Sequence, residues 1–418
     1  MKRYCAHKNA LIGAAFAVLF IAPITLHQFI PYTRQVDASG STEEMMRVVA
    51  NSSNTFGIDL YREIQDGASN VFFSPWSITS AMLMLQEGAR NQTAAEIADV
   101  FHLGDMETWR PNYAGIHNRL VGGERFTLRT ANALWADQSH AFNAEYIGII
   151  DRYYGGGTRY MDFANSPDTA CQEINDWVAD ITNDRIRDLL QPGDVSPLTR
   201  LVITNAIYFN SAWKYQFKPD QTTNRTFYSP SGSQSIPFMH LGESDLYFNY
   251  MENNLLQMLE LPYTGDRLSM LLLLPRVNVT LVDFVEQHLS TAALDAWKAE
   301  MAQEEVEINV PTFDIETRYD LIPVLEALGM SKAFSPSEAD FSGLDGTRDL
   351  SVSSIVHQAF VAVNEVGTEA AAATAIVVWL TAIGYDHIFL ANRPFIFLIQ
   401  ERTTGAILFM GSFTDPSS

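Results

Sequence analysis

The chain has 418 residues, 47% of them hydrophobic, and a formal net charge of −22. The acidic surface argues against nucleic acid or anionic lipid as a partner, because like charges repel. Only Cys5 and Cys171 are present, so no disulfide framework is expected. We find no linker-like tract, charge block or repeat after residue 40, which predicts a single large domain over residues 41–418.

The first 40 residues are typical of a leader with a short linker. Lys2, Arg3 and Lys8 precede an uncharged apolar run from Ala10 to Leu26, as in a signal peptide or a membrane anchor. The run is somewhat short for a membrane span of about 20 residues, yet longer than most signal-peptide cores of roughly 7–15 residues. Both alternatives stay open, and both place the folded part outside the cytoplasm.

The first third of the chain is predicted to be helical. Ser74-Pro75 places an N-cap acceptor before a proline at the first helical position. Apolar residues then recur at helical spacing: Ile78, Ala81, Met82 and Leu85. A second apolar stripe predicts a helix from Cys171 to Leu190.

Strand patterns dominate the rest of the chain. Apolar runs over Ile203–Phe209 and Leu268–Leu274 predict buried strands. Glu305–Val310 alternates polar and apolar residues, as a strand with one wet face does. Phe395–Ile399 and Ala406–Met410 flank a short polar turn and predict a β-hairpin. Helices early and strands late indicate the α+β class.

The segment after Asn364 fits no ordinary core element. No charge occurs from Ala370 to Tyr385, yet this run is too short for a membrane span. Its β-branched residues disfavour a buried helix, and its alanines disfavour a buried strand. Such a conflict is expected where one segment must satisfy two structures. We therefore predict that residues 368–379 lie in solvent in one state and in the middle of a sheet in another.

The alternation of side chains along a strand is compatible with this insertion. The inward positions would all be uncharged, and the first four would be small: Thr368, Ala370, Ala372, Thr374, Ile376 and Val378. Glu369 would fall on the outward face, where its charge would stay in water. The composition permits insertion without requiring it.

Several specific motifs point to one family. They are, in chain order, Asn70–Ile78, Thr204–Phe209, Trp213, Glu365–Ala373 and Phe389–Ile399. These segments resemble the early helix, the central strand, the top of the main sheet, the hinge and the C-terminal signature of inhibitory serpins. The resemblance extends over nearly all of the chain after the leader.

The resemblance implies a serpin fold with three β-sheets, about nine helices and an exposed reactive-centre loop at about residues 365–390. A protease would cleave the loop, and the freed loop would insert as a new central strand and trap the acylated protease. The implied hinge comprises Glu365, Gly367, Thr368, Glu369, Ala370, Ala371, Ala372 and Ala373. The implied shutter, a buried hydrogen-bonded group beneath the main sheet, comprises Ser74, Ser77, Asn205 and His357. Trp213 matches the breach, where the loop first enters.

Family spacing places the reactive bond at Thr381-Ala382, with Thr381 as the seventeenth residue counted from Glu365. Counting back from Pro394 allows Leu380 instead. Either side chain suits serine proteases with small or apolar primary pockets, such as elastase-, subtilisin- or chymotrypsin-like enzymes. Trypsin-like targets are not expected, because residues 349–392 contain no Lys or Arg.

Two other functions match the sequence less well. No nucleophile elbow, zinc motif or phosphate loop supports an enzyme, and a lone His357 in an apolar strand is more often a core residue than a catalyst. A non-inhibitory serpin, acting as a carrier, chaperone or storage protein, would be expected to hold charged, bulky or proline residues in its hinge. We expect a secreted or membrane-tethered monomer without metal or cofactor. We expect no heparin-like activator, since Arg90 is the only Lys or Arg in residues 86–105.

Overall fold

The computed structural model describes residues 34–121, 125–369 and 385–417. These ranges contain ten α-helices and two short 3₁₀ turns, Pro219–Gln221 and Lys332–Phe334. The helices are α1 (Glu43–Ile64), α2 (Pro75–Gly88), α3 (Asn91–Val100), α4 (Met106–Leu120), α5 (Ala144–Tyr153), α6 (Pro167–Ile181), α7 (Leu281–Gln287), α8 (Thr291–Glu300), α9 (Ile322–Ala327) and α10 (Ser342–Asp345).

Sixteen strands lie in the same ranges. They are β1 (Val71–Phe73), β2 (Phe126–Asp137), β3 (Gly157–Met161), β4 (Leu201–Ala212), β5 (Thr223–Ser229), β6 (Gly232–Leu241), β7 (Tyr247–Glu252), β8 (Leu256–Pro262), β9 (Leu268–Pro275), β10 (Ala302–Pro311), β11 (Phe313–Asp320), β12 (Ser354–Val363), β13 (Gly367–Thr368), β14 (His387–Leu390), β15 (Phe395–Glu401) and β16 (Ile407–Phe413). Helices concentrated early and strands late confirm the predicted α+β class.

The described strands form a ten-stranded and a six-stranded sheet. The larger sheet has the order β1-β16-β15-β9-β8-β7-β10-β6-β5, with β14 parallel to β10. The smaller has the order β11-β12-β13-β4-β2-β3. The ten-stranded sheet combines two of the three expected sheets, because one end of β10 pairs with β7 and its other end pairs with β6.

The strongest local predictions are confirmed. Helix α2 begins after Ser74, whose Oγ accepts a hydrogen bond of 3.1 Å from the backbone N–H of Ser77. The two apolar runs form β4 and β9, and the alternating segment lies within β10. The predicted hairpin is the antiparallel pair β15 and β16. These elements follow from side-chain periodicity and capping, which are local properties of the chain.

The helix predicted from Cys171 to Leu190 has the wrong bounds, since α6 begins earlier and ends at Ile181. Asn183 and Asp184 then adopt φ angles of 58° and 62°, a left-handed conformation that Asn and Asp tolerate better than most residues. The apolar stripe continues because residues after the helix pack in the same cluster as α6. Burial, not helicity, explains the stripe beyond Ile181.

Both faces of the six-stranded sheet are buried around β2 and β4. On one face, Trp177 of α6 packs edge-on against Trp135 of β2, with ring centroids 5.1 Å apart. On the other, Ile203 and Ile207 of β4 join the main core together with α2. The described residues form one compact unit. No helix in the described ranges has both the length and the apolar character that a membrane crossing requires.

Candidate functional site

In the six-stranded sheet, β12 and β4 pair directly with each other at one end and are separated at the other. We call the boundary between these two strands the seam. Ser354–Ala359 of β12 pair in parallel with Val202–Ile207 of β4. Beyond these pairs β13 lies between the two strands, antiparallel to both. The seam is therefore already separated where an inserting loop would begin.

The hinge begins inside this sheet. Thr368 is opposite Val363 of β12 and Ser211 of β4, and Gly367 is opposite Ala212 of β4. The expectation that residues from Thr368 onward lie in solvent before cleavage is thus wrong for the first of them. Backbone pairing explains the difference. Thr368 pairs with a strand on each side, and this pairing replaces the hydrogen bonds that its backbone would otherwise make to water.

Gly367 is required by the close approach of β4. A Cβ at this position would lie 2.1 Å from the carbonyl oxygen of Ser211 and 2.7 Å from the Cα of Ala212. These contacts are to backbone atoms, which cannot rotate away. Only glycine allows β13 to lie against β4 at this distance.

Thr368 is buried against the breach. Only 1% of its surface is exposed, and its Oγ1 lies 2.6 Å from the hydroxyl oxygen of Tyr263. Tyr263 stacks on Trp213, with ring centroids 4.6 Å apart and planes 11° from parallel. Burial raises the pKa of Tyr263 well above its usual range. Thr368 therefore packs against an uncharged pair of aromatic side chains.

Trp213 also holds the connection between β12 and β13 in place. Its indole Nε1–H donates to the carbonyl oxygen of Asn364 over 2.9 Å, and its backbone N–H donates to Val366 over 2.9 Å. The hydroxyl of Thr222 donates to the carboxylate of Glu365 over 2.6 Å. The structure thus brings the predicted breach residue directly onto the hinge.

Glu369 is the clearest departure from the sequence-based expectation. Its side chain lies on the other face of the sheet from that of Thr368, as predicted, but it is only 4% exposed. Its carboxylate forms an ion pair with Arg185. Arg185 lies in the segment after α6, which covers this face of the sheet. Burial raises the pKa of Glu369 to about 7, partly offset by Arg185, while Asp314 raises it slightly. The outward face is therefore not in water here.

The backbone of Glu369 is left-handed at the end of β13. The residue has a φ of 57°, which is uncommon for a residue other than glycine, asparagine or aspartate. Its N–H donates to the carbonyl of Ala362 over 2.7 Å, and Asn210 donates to its carbonyl oxygen. Both polar groups are satisfied, so these contacts stabilise the left-handed turn at the end of β13.

The four predicted shutter residues are all buried and lie together. The backbone N–H of Ser74 donates to Nε2 of His357 over 3.1 Å. The side-chain amide of Asn205 donates to Ser77 Oγ over 3.0 Å. His357 and Asn205 also bond to each other through Nδ1 and Oδ1, and they lie directly opposite across the seam. This contact therefore joins β12 to β4.

These contacts define the state of the imidazole. Because Nε2 of His357 accepts from a backbone N–H, the proton of the neutral ring lies on Nδ1, where it donates to Asn205. Burial lowers the pKa of His357 to about 3. The ring is neutral at physiological pH, which agrees with a structural role at the seam.

Asn132 of β2 is a fifth member of the shutter that the sequence analysis did not find. It is opposite Asn205 in the sheet and accepts from Asn205 over 2.8 Å and from Ser77 over 2.9 Å. Its own amide donates to the carbonyl of Ser77 over 3.1 Å. One available signal was a polar residue between alanines in a buried strand.

The remaining predicted positions lie outside the described residues. They are the distal hinge residues Ala370, Ala371, Ala372 and Ala373, and the reactive-bond residues Leu380, Thr381 and Ala382. Of the predicted leader and linker over residues 1–40, residues 1–33 are likewise outside them. Within the described ranges, no group of three His, Cys, Asp or Glu side chains is placed to hold a metal ion.

Comparisons with known proteins agree with this geometry. Residues 51–416 match the family model described as Serpin (serine protease inhibitor). A serpin-like protein of Thermococcus kodakarensis is 42% identical over 383 residues, covering 90% of this chain and 87% of the relative. The leukocyte elastase inhibitor of Homo sapiens is 35% identical, covering 89% of this chain and 100% of the relative. A solved serpin of the insect Tenebrio molitor has a TM-score of 0.77 at 32% identity, covering 88% of this chain and 98% of that structure. The chain belongs to the serpin family.

Proposed function

We propose that this protein inhibits serine proteases by acting as a suicide substrate whose cleaved loop inserts into the six-stranded sheet. The observation that carries the proposal is the position of β13, which separates β12 from β4 at the open end of the seam. The residues that follow β13 include a run of small, uncharged side chains from Ala370 to Ala375. Such a sequence offers little steric resistance to extending the strand.

The direction of β13 indicates what insertion would gain. A loop that continues from β13 would run antiparallel to both β12 and β4, replacing their parallel pairs with two antiparallel ladders. Antiparallel pairing is slightly more stable per residue, and each added hydrogen bond contributes about 1 kcal/mol. A strand of about twelve residues would span about 40 Å at about 3.3 Å per residue. A tethered protease would move by a similar distance.

The shutter would be the barrier to this movement. An inserting strand must break the contact between His357 and Asn205, which crosses the seam. It must also separate six registered residue pairs of β12 and β4, from Ser354 with Val202 to Ala359 with Ile207. These contacts hold the uncleaved protein with its seam partly closed until cleavage frees the loop.

The proposed targets are serine proteases with small or apolar primary pockets, cleaving at Thr381-Ala382 or after Leu380. The absence of Lys and Arg from residues 349–392 supports this class, and so does the name of the elastase inhibitor to which the chain is similar. The inhibitor itself would supply no catalytic residue, since the nucleophile belongs to the protease. The shutter histidine is a structural group in this scheme.

The leader pattern of residues 1–40 supports action outside the cytoplasm, either in secreted or in membrane-tethered form. We propose a monomer that needs no heparin-like activator. Arg90, the only Lys or Arg in residues 86–105, donates to the carbonyl oxygens of Glu87 and Ala89 over 2.9 Å and 2.7 Å. Its guanidinium is thus committed to the turn between α2 and α3.

The test is to mix the purified protein with elastase-, subtilisin-, chymotrypsin- and trypsin-like proteases and run denaturing electrophoresis. A covalent complex with any of the first three and none with trypsin supports the proposal. Mass spectrometry of the released C-terminal peptide distinguishes Thr381 from Leu380. Complete cleavage without a complex for every protease would show a substrate or a non-inhibitory serpin. Thr381→Arg should transfer complex formation to the trypsin-like protease if Thr381 is the recognised residue.

A further inference from the structure

A concave pocket of about 680 Å³ lies apart from the seam, and none of its lining residues belongs to the hinge, shutter or breach. Four connections form it: the loop after α1 at Gly67, the β5–β6 turn at residues 228–230, the β9–α7 connection at residues 275–282, and the β14–β15 connection at residues 392–394. Pockets of this size are typical of small-molecule sites.

The wall of the pocket is mainly apolar and built from restrained backbone. Pro230, Pro275 and Pro394 line it, and the proline ring restricts φ at each. The N–H of Tyr228 donates to the carbonyl of Asn392 over 2.8 Å, tying two of the connections together. This concavity is therefore present before any ligand arrives, which lowers the entropic cost of binding.

The rim carries exposed apolar side chains. Val277 is 86% exposed and Tyr228 is 57% exposed, and both line the pocket. A ligand lying across them would remove apolar surface from water, at about 25 cal/mol per Å². An apolar ligand surface is thus complementary to this rim.

Arg393 adds a positive charge to the apolar wall. Its Nε donates to the carbonyl of Pro275 over 2.9 Å and its Nη1 to Asn392 Oδ1 over 3.3 Å. Among the described residues, its guanidinium forms no ion pair with a carboxylate. The neighbouring Arg276, in contrast, is paired with Glu252 over 2.7 Å. Burial, with a smaller effect from Arg276, lowers the pKa of Arg393.

This arrangement is unusual in so acidic a chain. A partly buried guanidinium without an internal carboxylate is costly unless an anion pairs with it. Arg393 already has a fixed orientation through its two hydrogen bonds, so its remaining donors are positioned for a planar anion such as a carboxylate. A single guanidinium carries one positive charge, which does not neutralise a phosphate dianion.

We propose that this pocket binds a small amphipathic carboxylate, with its carboxylate on Arg393 and its apolar tail along the prolines and Val277. The ligand class is a medium-chain fatty acid or an aromatic carboxylate of similar size. Binding here is independent of the proposed inhibition, because the pocket shares no residue with the seam. A ligand that binds only the folded protein raises its thermal unfolding midpoint by mass action.

The test uses the full chain and isothermal titration calorimetry with three probes: sodium octanoate, 1-octanol and sodium acetate. Octanol has the same tail without charge, and acetate has the same charge without a tail. We expect octanoate to bind at least about tenfold more tightly than either, because octanol lacks the charge-assisted hydrogen bonds to Arg393 and acetate lacks the apolar tail. We also expect only octanoate to raise the unfolding midpoint clearly.

Variants then locate the site. Val277→Asp should weaken octanoate binding at least tenfold by repulsion and lost apolar contact, whereas the matched control Leu198→Asp should bind as the parent does. Leu198 is 81% exposed and does not line the pocket. Arg393→Gln should reduce octanoate affinity to that of octanol. Equal affinity for octanoate and octanol in the parent, no measurable octanoate binding, or an unchanged Val277→Asp variant would each overturn the proposal. Because Val277 is exposed, its variant decides the matter even if Arg393→Gln fails to fold.

Discussion

Thr368→Arg is the sharpest perturbation of the proposed insertion mechanism. Thr368 is the first hinge side chain to face the core, and its hydroxyl contacts Tyr263. Arginine at this position would have to bury a guanidinium over the neutral pair of Tyr263 and Trp213. We expect it to leave the rest of the fold intact and to displace β13 from its place between β12 and β4, so that insertion would have to begin by burying the charge.

The magnitude follows from two contributions. Leaving the buried hydroxyl of Tyr263 without Thr368 costs about 1–3 kcal/mol, and burying an unpaired charge costs several kcal/mol more. A total of at least about 3 kcal/mol corresponds to a slowing of insertion by more than about a hundredfold. Hydrolysis of the acyl-enzyme would then be faster than insertion, so the protein would become a substrate.

The assay mixes each variant with the protease that forms a complex with the parent chain and separates the products by denaturing electrophoresis. Thr368→Arg should give cleaved inhibitor and active protease, whereas Thr368→Ser keeps the hydroxyl and should still form the complex. Near-ultraviolet circular dichroism checks that both variants are folded. Complex formation by Thr368→Arg at the parent stoichiometry would refute the proposal that insertion requires this residue to be buried in the sheet.

Three further predictions concern the same site. Gly367→Ala places a Cβ against the carbonyl of Ser211, which should disfavour β13 in the seam and increase the cleaved product in the same electrophoresis assay. The control Gly148→Ala places its Cβ in open space and should behave as the parent does. Burial raises the pKa of Glu369 from 4.5 to about 7, so the docked hinge is most stable below about pH 4.5. The unfolding midpoint of the parent, measured against that of Glu369→Gln, should fall as the pH rises from about 4.5 to about 7 and should then stay level. A difference between the two midpoints that does not change with pH would contradict the raised pKa of Glu369. Asn205→Ala should lower the free energy of unfolding by about 1–3 kcal/mol by leaving buried partners unpaired, and an unchanged denaturation midpoint would count against the shutter.

Much of the fold could be predicted from local sequence signals. The N-cap at Ser74, the alternation in Glu305–Val310 and the hairpin around residues 400–406 depend on residues that are near each other in the chain. The wrong end predicted for α6 also follows from the use of local signals. An apolar stripe indicates burial on one side and does not distinguish a helix from a packed irregular segment. The Asn183-Asp184 pair was the local signal that the helix had ended.

The site depended more on family resemblance than on residue patterns. Ser74 and His357 are 283 residues apart in the chain, so nothing local in the sequence indicates their contact. The resemblance identified four of the shutter residues, and the register of β2 against β4 added Asn132. Hydrogen bonds between distant strands are a property of the assembled sheet and not of any one segment.

The residues of the hinge that share a face could be predicted from the sequence, because side chains alternate along an extended chain. The sequence also indicates that Thr368 could be buried and that residues 370–375 are small and uncharged. The packing of distant segments, in contrast, places Arg185 over the outward face at Glu369 and β13 between β12 and β4. Alternation specifies the direction of a side chain, whereas the element packed against that face decides whether the side chain meets water or protein.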